Sequence, residues 1–479
     1  MKKIITAFFI FFAIDIFSAM AYFFSPNSIF LFTIICAAVL FVTLYRLEYG
    51  VAVAFGELFI GGKGYLFSFS LENVSISIRM AIFCALIIGW IIKKVVVIRR
   101  NDFSDVFSKK NLIFYAFCIF IIYGIINGLL HNTARDVYYD ANGWLYFLLI
   151  FPVMDVIKNE KIFLNIIDIL YASIIWTSIK TAAILMLFSR GFVSVGDSFY
   201  KWIRDTGVGE ITLLDEGFYR IFFQSHIFAL IALFLLLVYF VLGETLGKKK
   251  KVQYGIIFYC STFILLVSQS RSFWIGGIAG LLTFVFFMKL RWKIKWKNLT
   301  LPIAGMCIAI ISQIFLIQAI SGYYGNMFSK RTSQLSDDAG GISRISQLRP
   351  LFSEIQKHPF LGSGFGTSAT YKSSDPRILE KNPDGLYTTF TFEWGYLDAI
   401  LKIGILGLIS YLIFIYSTAR DLLRSLEPTR IGLFFGLIAL AITNIFSPYL
   451  NHPLGIGYVL LLYIFSQKQS PLHGRERLG

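Results

Sequence analysis

The chain has 479 residues, of which 57% are hydrophobic and 17% aromatic, and its mean hydropathy is +0.70. This composition excludes a soluble globular domain and indicates an all-α protein that crosses a membrane many times. Lys and Arg (44) outnumber Asp and Glu (28), but the excess lies in short loops beside apolar segments. That distribution is typical of membrane proteins and argues against a nucleic-acid partner.

The apolar stretch that follows Met1-Lys2-Lys3 has no small-residue cleavage site near residues 22–26, so we interpret it as a first span rather than a signal peptide. The five cysteines lie inside apolar runs without the spacing of metal ligands, which predicts that they are small core residues. They are Cys36, Cys84, Cys118, Cys260 and Cys307.

A helix needs roughly 20 apolar residues to cross the hydrocarbon core of a bilayer. On this basis the sequence predicts fourteen spans, of which the third, sixth and fourteenth are short, leaving counts of twelve or thirteen open. The predicted spans are 4–24, 28–45, 47–61, 75–98, 111–130, 142–157, 162–188, 219–243, 252–268, 272–290, 298–319, 394–418, 431–447 and 453–466.

A cytoplasmic N-terminus would place every dense basic cluster on the cytoplasmic side of the membrane. The outer loops would then be 131–141, 189–218, 269–271, 320–393 and 448–452. The chain therefore divides into membrane helices at 1–319, a large outer loop at 320–393, C-terminal membrane helices at 394–466 and a cytoplasmic tail at 467–479.

The 320–393 loop is the one long polar interval, with eight Lys/Arg and seven Asp/Glu. Apolar residues from Ile342 to Ile355 recur at helical spacing, and Pro350 should break or kink that helix. Glycines at 362, 364 and 366 predict a tight turn in which two backbones approach closely.

Three arginines fall on the predicted outer side, where isolated basic residues at span ends are unusual. Arg271 lies in the short turn Ser270-Arg271-Ser272, Arg344 lies in the large loop, and Arg220 opens a predicted span. A guanidinium binds phosphate through two parallel hydrogen bonds, so several together suit a diphosphate leaving group. Taken singly, Arg271 also fits an arginine at the membrane interface, Arg344 a solvated loop charge, and Arg220 an ordinary arginine flanking a span.

Further charges fall within predicted spans, toward the outer half: Glu57, Arg79, Lys180, Asp398 and Lys402. Asp398 and Lys402 are four residues apart on one helix, a spacing that allows them to pair. Charges inside a membrane generally face an interior cavity. These residues therefore either line a cavity that opens outward or form structural pairs within the bundle.

Glu393 begins the span after the large loop and could accept a proton from an attacking hydroxyl, or serve only as an interfacial carboxylate. His358 could be a base or could pack a turn. The sequence contains no phosphate-binding loop of the Walker type, no His/Cys metal cluster and no Asp-x-Asp pair. The absence of a nucleotide site indicates that any group transfer uses a donor that is already activated.

The ordered motifs between about residues 215 and 447 resemble those of the O-antigen ligase and O-antigen polymerase superfamily of bacterial inner-membrane glycan transferases. They are Ser270-Arg271-Ser272-x-Trp274, Arg344 upstream of His358-Pro-x-x-Gly-x-Gly-x-Gly366, and Gly395-Tyr-Leu397 before Gly404-Ile-Leu-Gly407.

The resemblance implies a glycosyltransferase, independent of metal and nucleotide, whose donor is an undecaprenyl-diphosphate-linked oligosaccharide. It places Arg271 and Arg344 on the two motif positions that hold the diphosphate at the periplasmic face. In ligases a histidine-asparagine-like pair stands eleven residues before the first glycine of the Gly-x-x-Gly motif. Here Glu393 and Trp394 occupy that place, which favours a polymerase.

The favoured hypothesis is thus a repeat-unit polymerase with Arg271, Arg344 and Glu393 as catalytic residues. Substrate binding is assigned to Arg220, His358, Gly362, Gly364, Lys180, Arg79 and Lys402. Membrane lipids and a chain-length regulator are further candidate partners. The alternatives are a ligase that moves glycan to lipid A core or protein, and a lipid or glycan flippase whose cavity the intramembrane charges would line.

Overall fold

The computed structural model describes residues 2–24, 28–71, 74–97, 111–157, 160–206, 209–215, 217–242, 247–326, 339–424 and 427–467. The chain is 77% helical, which confirms the all-α polytopic class predicted from composition. The predicted tail at 467–479 lies outside the described residues except for its first position.

The first half of the chain consists of short and medium-length helices and one helix of 30 residues. They are Lys2–Phe23 (α1), Ser28–Tyr45 (α2), Leu47–Ile60 (α3), Ile78–Ile92 (α4), Leu112–His131 (α5), Ala134–Ala141 (α6), Ile150–Val156 (α7), Glu160–Ser189 (α8) and Ser198–Asp205 (α9). A π turn at Lys93–Val97 extends α4, and a 3-10 helix at Trp144–Leu149 leads into α7.

The second half contains most of the bundle core and the polar segment. Its helices are Ile227–Leu242 (α10), Lys248–Ser268 (α11), Arg271–Leu290 (α12), Trp296–Ser321 (α13), Ala339–Lys357 (α14), Pro376–Lys381 (α15), Gly395–Leu422 (α16), Pro428–Thr443 (α17) and Pro453–Ser466 (α18). Short 3-10 helices at Gln224–His226 and Tyr449–Asn451 precede α10 and α18.

Three antiparallel hairpins occur in the described ranges: β1 (Ser68–Leu71) with β2 (Val74–Ser77), β3 (Gly209–Asp215) with β4 (Phe218–Phe223), and β5 (Ala369–Lys372) with β6 (Leu386–Thr389). The prediction that a span begins at residue 219 is therefore wrong. Arg220 lies on β4 opposite Thr212, because residues 218–223 form a strand in which the buried residues are Phe218, Ile221 and Phe223.

Within the described ranges, eight helices are long and apolar enough to cross a membrane, and four shorter apolar helices accompany them. Each of the fourteen predicted spans overlaps a helix, although those at 75–98 and 219–243 begin on strands. The core centres on α10, which is apolar on all sides and packs closely against α17. A Cβ built on Gly432 would come within 2.6 Å of the Leu235 Cα, so the small residue allows that approach.

Helix α14 continues through Pro350, so of the predicted break or kink at that residue the break is wrong. A proline inside a helix removes one backbone hydrogen bond. Leu351 and Ile355, just beyond it, pack with Phe392 and Leu401 in a small hydrophobic cluster of their own. Burial of these side chains offsets the lost bond and fixes α14 against the start of α16.

The glycine-rich turn after α14 docks against a break in α16. Gly404 has φ 72 and ψ 174, which interrupts the helix. The turn supplies the missing bonds: the Ser363 N–H donates to the Leu401 carbonyl (2.7 Å) and the Gly364 N–H to the Lys402 carbonyl (3.2 Å). A Cβ on Gly364 would lie 2.5 Å from the Gly128 nitrogen of α5, which explains the glycine there.

Candidate functional site

A cavity of about 560 Å³, which we call the arginine chamber, opens where the large polar segment meets the bundle. It is lined by Lys63, Arg204, Asp205, Gly209, Glu210, Phe222, Gln224, Arg344, Thr391, Phe392, Glu393, Ser447, Pro448, Tyr449 and His452. These residues come from α9, β3, β4, α14 and the 3-10 helix before α10, and from the connections after α3, before α16 and between α17 and α18. If successive spans alternate in direction, all of these segments lie on one face of the bundle.

Arg344 and Glu393 form an ion pair inside the arginine chamber. Arg344 lies in the second turn of α14, and its carbonyl accepts a hydrogen bond from Trp394 Nε1 at 2.8 Å. The Glu393 N–H donates to Gln347 Oε1 at 3.3 Å. Their side chains remain 35% and 45% exposed, so both charged groups are accessible from the chamber.

The turn between α11 and α12 lies behind the chamber wall. Arg220 Nε donates to the Ser268 carbonyl at 2.8 Å, and its guanidinium carbon sits 4.7 Å from the centre of the Phe222 ring. Ser272 Oγ lies 3.1 Å from Ser447 Oγ. Phe222 and Ser447 both line the chamber, so the structure brings this turn, with Arg271 as the first residue of α12, to the wall of the site.

The lining of the arginine chamber contains as many carboxylates as cations. Asp205, Glu210 and Glu393 accompany Lys63, Arg204 and Arg344. An anionic ligand in this chamber would therefore have to compete with a carboxylate for its arginine.

A second cavity of about 360 Å³, which we call the tyrosine chamber, adjoins the first. The two share Lys63, Gln224, Thr391, Phe392, Pro448 and His452. The tyrosine chamber is further lined by Tyr65, Ser77, Arg79, Met80, Tyr138, Tyr139, Asp140, Asn142, Gly143, Trp144, Tyr146, Asp398, Asn451 and Pro453. Sequence periodicity could not reveal this wall, because its residues come from both ends of the chain.

Arg79 lines the tyrosine chamber from the first turn of α4, where the Ser77 side chain caps the helix by accepting a bond from the Met80 N–H. It is buried and makes two hydrogen bonds to Glu57, at 2.8 and 2.9 Å. A buried guanidinium needs such a partner because desolvating a lone charge is costly. The pair at 57 and 79 is thus one of the structural pairs that the sequence left open.

Lys402 pairs with Asp140, at 2.6 Å, and not with Asp398 on its own helix. Its ammonium group also donates to the carbonyls of Thr367 and Phe390, while Asp398 accepts from Asn451. The i, i+4 spacing therefore did not identify the partner. The glycine-rich turn holds the same carboxylate, since the Gly366 N–H donates to Asp140 Oδ2 at 2.7 Å.

Lys180 lies away from both chambers in a buried pair with Asp15, at 2.8 Å, and its ammonium group faces the rings of Trp202 and Phe223. The partner lies on α1 while Lys180 lies on α8, which is why no local pattern indicated it.

His358 and Gly362 line a separate cavity of about 530 Å³ at the end of α5, together with His131. His358 is exposed, and its carbonyl accepts a bond from the Gly362 N–H at 2.9 Å. Gly364 packs against α5, and neither glycine lines the chambers. The structure therefore does not bring His358, Gly362 or Gly364 together with Arg344.

His452 lines both chambers, and the sequence reading did not single it out. It caps α18, with Nδ1 accepting a bond from the Leu454 N–H at 3.4 Å. Burial, followed by the charges of Arg79 and Lys63, lowers the pKa of His452 to about 3. The imidazole is therefore neutral near pH 7. The signal that could have found it is a histidine in a short loop on the predicted outer side.

Among the described residues, no group of three or more His, Cys, Asp or Glu side chains could hold a metal ion. Metal and nucleotide independence stays a prediction.

Residues 256–412 match a family model described as O-Antigen ligase. The matched region runs from α11 into α16 and contains Arg271, Arg344 and Glu393. This match confirms the resemblance to the O-antigen ligase and polymerase superfamily and supports an activity of that type, acting on lipid-linked glycans. A comparison with curated proteins found no match.

Proposed function

We propose that this multi-pass protein of the O-antigen ligase and polymerase type is a polymerase of undecaprenyl-diphosphate-linked oligosaccharide repeat units. A hydroxyl at the non-reducing end of one lipid-linked unit attacks the anomeric carbon of the growing glycan. The new glycosidic C–O bond forms as the bond to the diphosphate breaks. Undecaprenyl diphosphate leaves with the electron pair, and Glu393 takes the hydroxyl proton.

The observation that carries this proposal is the accessible Arg344–Glu393 ion pair, in a chamber whose wall borders the turn that bears Arg271. A diphosphate offers more charge-assisted hydrogen bonds to a guanidinium than one carboxylate does. Diphosphate binding to Arg344 would release Glu393 to act as a base. Arg271 and Arg220 would stabilise the charge that grows on the leaving group.

The identity of the residue at 393 favours a polymerase over a ligase. Glu393 and Trp394 stand where ligases carry a histidine-asparagine-like pair, and Trp394 here bonds the backbone of Arg344. The experiment is incubation of the purified protein with radiolabelled lipid-linked repeat units. A ladder of lengthening products supports a polymerase, whereas transfer to a terminal acceptor without chain growth supports a ligase.

A flippase would need charges free to accompany a polar cargo. The intramembrane cations are instead paired within the bundle: Arg79 with Glu57, Lys180 with Asp15 and Lys402 with Asp140. This pairing favours a structural role for their charges. Covalent extension of glycan by the purified protein would exclude a role limited to transport.

The proposal places the chambers at the periplasmic face of a bacterial inner membrane, without metal or nucleotide. Lys63 lines both chambers and is exposed, so a Lys63→Cys variant should react with a membrane-impermeant maleimide from the periplasmic side. Labelling only from the cytoplasmic side would contradict this orientation. Ladder formation should also continue in EDTA. A chain-length regulator remains a proposed partner, which co-purification would test.

A further inference from the structure

Several buried polar atoms around the tyrosine chamber lack partners in the protein. Arg79 Nη1, Gln224 Oε1 and Asp398 Oδ1 make no hydrogen bond, and all three residues line this chamber. A buried polar group without a partner costs roughly 1–3 kcal/mol. Three such atoms around one cavity indicate that a polar ligand supplies their missing hydrogen bonds.

The hydrogen-bonding capacity of these atoms indicates the class of ligand. One is a donor and two are acceptors, and a sugar hydroxyl can both donate and accept. Tyr65, Tyr138 and Trp144 add aromatic surface for the apolar face of a sugar ring. Two cations, Lys63 and Arg79, are balanced by two carboxylates, Asp140 and Asp398, which favours an uncharged ligand.

The position of the chamber indicates which sugar of the glycan it binds. A cavity of about 360 Å³ is at the small end of ligand sites. Away from the wall shared with the arginine chamber, its lining includes the buried side chains of Arg79, Trp144 and Tyr146. A glycan that enters from the arginine chamber meets this buried wall, so a chain end fits better than an internal sugar.

We propose that the tyrosine chamber binds the terminal, uncharged sugar of the acceptor glycan and presents its hydroxyl to the arginine chamber. This inference rests on the proposed polymerase function. The donor's first sugar is joined to lipid on one side and to glycan on the other, so it cannot end in this chamber. The acceptor's non-reducing sugar has one neighbour only.

Two variants test the subsite without disturbing the buried ion pairs. Tyr138 and Asn142 line only the tyrosine chamber, are half-buried, and have side chains without a hydrogen bond in the described structure. Tyr138→Phe and Asn142→Ala should therefore leave the melting temperature close to that of the wild type. Tyr416→Phe, at an exposed position of α16, is the matched control.

Binding is measured by saturation-transfer NMR on the full protein in nanodiscs, with a panel of free neutral hexoses, 6-deoxyhexoses and hexuronates as probes. At least one neutral sugar should bind, and its affinity should fall roughly fivefold in each chamber variant, as expected for one lost hydrogen bond, but not in Tyr416→Phe. Failure of every neutral sugar to bind, equal affinity in all variants, or preference for a hexuronate would overturn the subsite.

The role in catalysis is measured separately, by ladder formation at graded acceptor concentrations. The chamber variants should raise the acceptor KM roughly fivefold and leave kcat nearly unchanged. An unchanged KM in the presence of weakened sugar binding would overturn the acceptor assignment. If the wild type binds sugars but makes no ladders, the polymerase proposal and this acceptor assignment fail while the sugar subsite itself stands.

Discussion

Replacing Arg344 by alanine separates a catalytic role of this residue from a structural one. The side chain pairs with Glu393 in the arginine chamber, but both groups are well exposed, at 35% and 45%. Exposed ion pairs contribute roughly 0–1 kcal/mol to stability. Arg344→Ala should therefore remain folded and lower the melting temperature only slightly.

The expected effect on turnover is much larger than the effect on stability. If Arg344 donates to the leaving diphosphate, its loss removes a preorganised donor from the transition state, which costs about 10²–10³ in kcat. Glu393→Gln keeps the shape of the side chain but cannot accept the proton, and general-base catalysis is worth about 10²–10⁴. Both variants should make short products or none.

The measurement compares initial rates of ladder formation with melting temperature in the same detergent. Arg349→Ala is the matched control, since Arg349 is an exposed arginine on the same helix that lines neither chamber. Full-length ladders from Arg344→Ala at wild-type rates would refute the diphosphate role. Equal losses in Arg344→Ala and Arg349→Ala would indicate a general charge effect instead.

Three further predictions concern the scaffold, each checked by thermal unfolding in detergent. Gly364→Ala places a Cβ 2.5 Å from a backbone nitrogen, at a residue with φ +89, and should abolish folding. Gly191→Ala, at a residue with φ +74 and no neighbouring atom within 4 Å, should lower the free energy of unfolding by only about 1–2 kcal/mol. Equal effects of the two substitutions would disprove the close approach. Lys402→Met breaks a fully buried ion pair and should lower the free energy of unfolding by about 3–5 kcal/mol. Lys357→Ala breaks an exposed pair and should lower it by at most about 1 kcal/mol. Similar losses in the two variants would contradict the burial argument. His452 takes up a proton near its ordinary pKa of 6.5 in the unfolded chain, but only near pH 3 in the folded protein. The contribution of His452 to the free energy of unfolding should therefore fall as the pH drops from 6.5 to 3. His452→Asn, which retains a helix cap, should remove that part of the pH dependence.

Two predictions from local patterns failed for the same kind of reason. The spacing of Asp398 and Lys402 is that of a helical pair, but the helix breaks after Lys402 and the ammonium group bonds to Asp140. Pro350 was expected to break or kink a helix, but α14 does not break there, and the neighbouring apolar residues pack in a small cluster. In both cases contacts between distant segments outweighed the local preference.

The sequence alone determined the membrane class, the all-α character of the chain and the resemblance to a family of glycan transferases. These follow from hydrophobic runs and ordered motifs, which are local properties of the chain. Only the tertiary structure decided which charges pair, that His452 lines the site, and that His358 lies apart from Arg344. The charge pairs join different secondary-structure elements, so the spacing of residues within one element does not reveal them. Each buried charge takes a partner because desolvating a lone charge is costly.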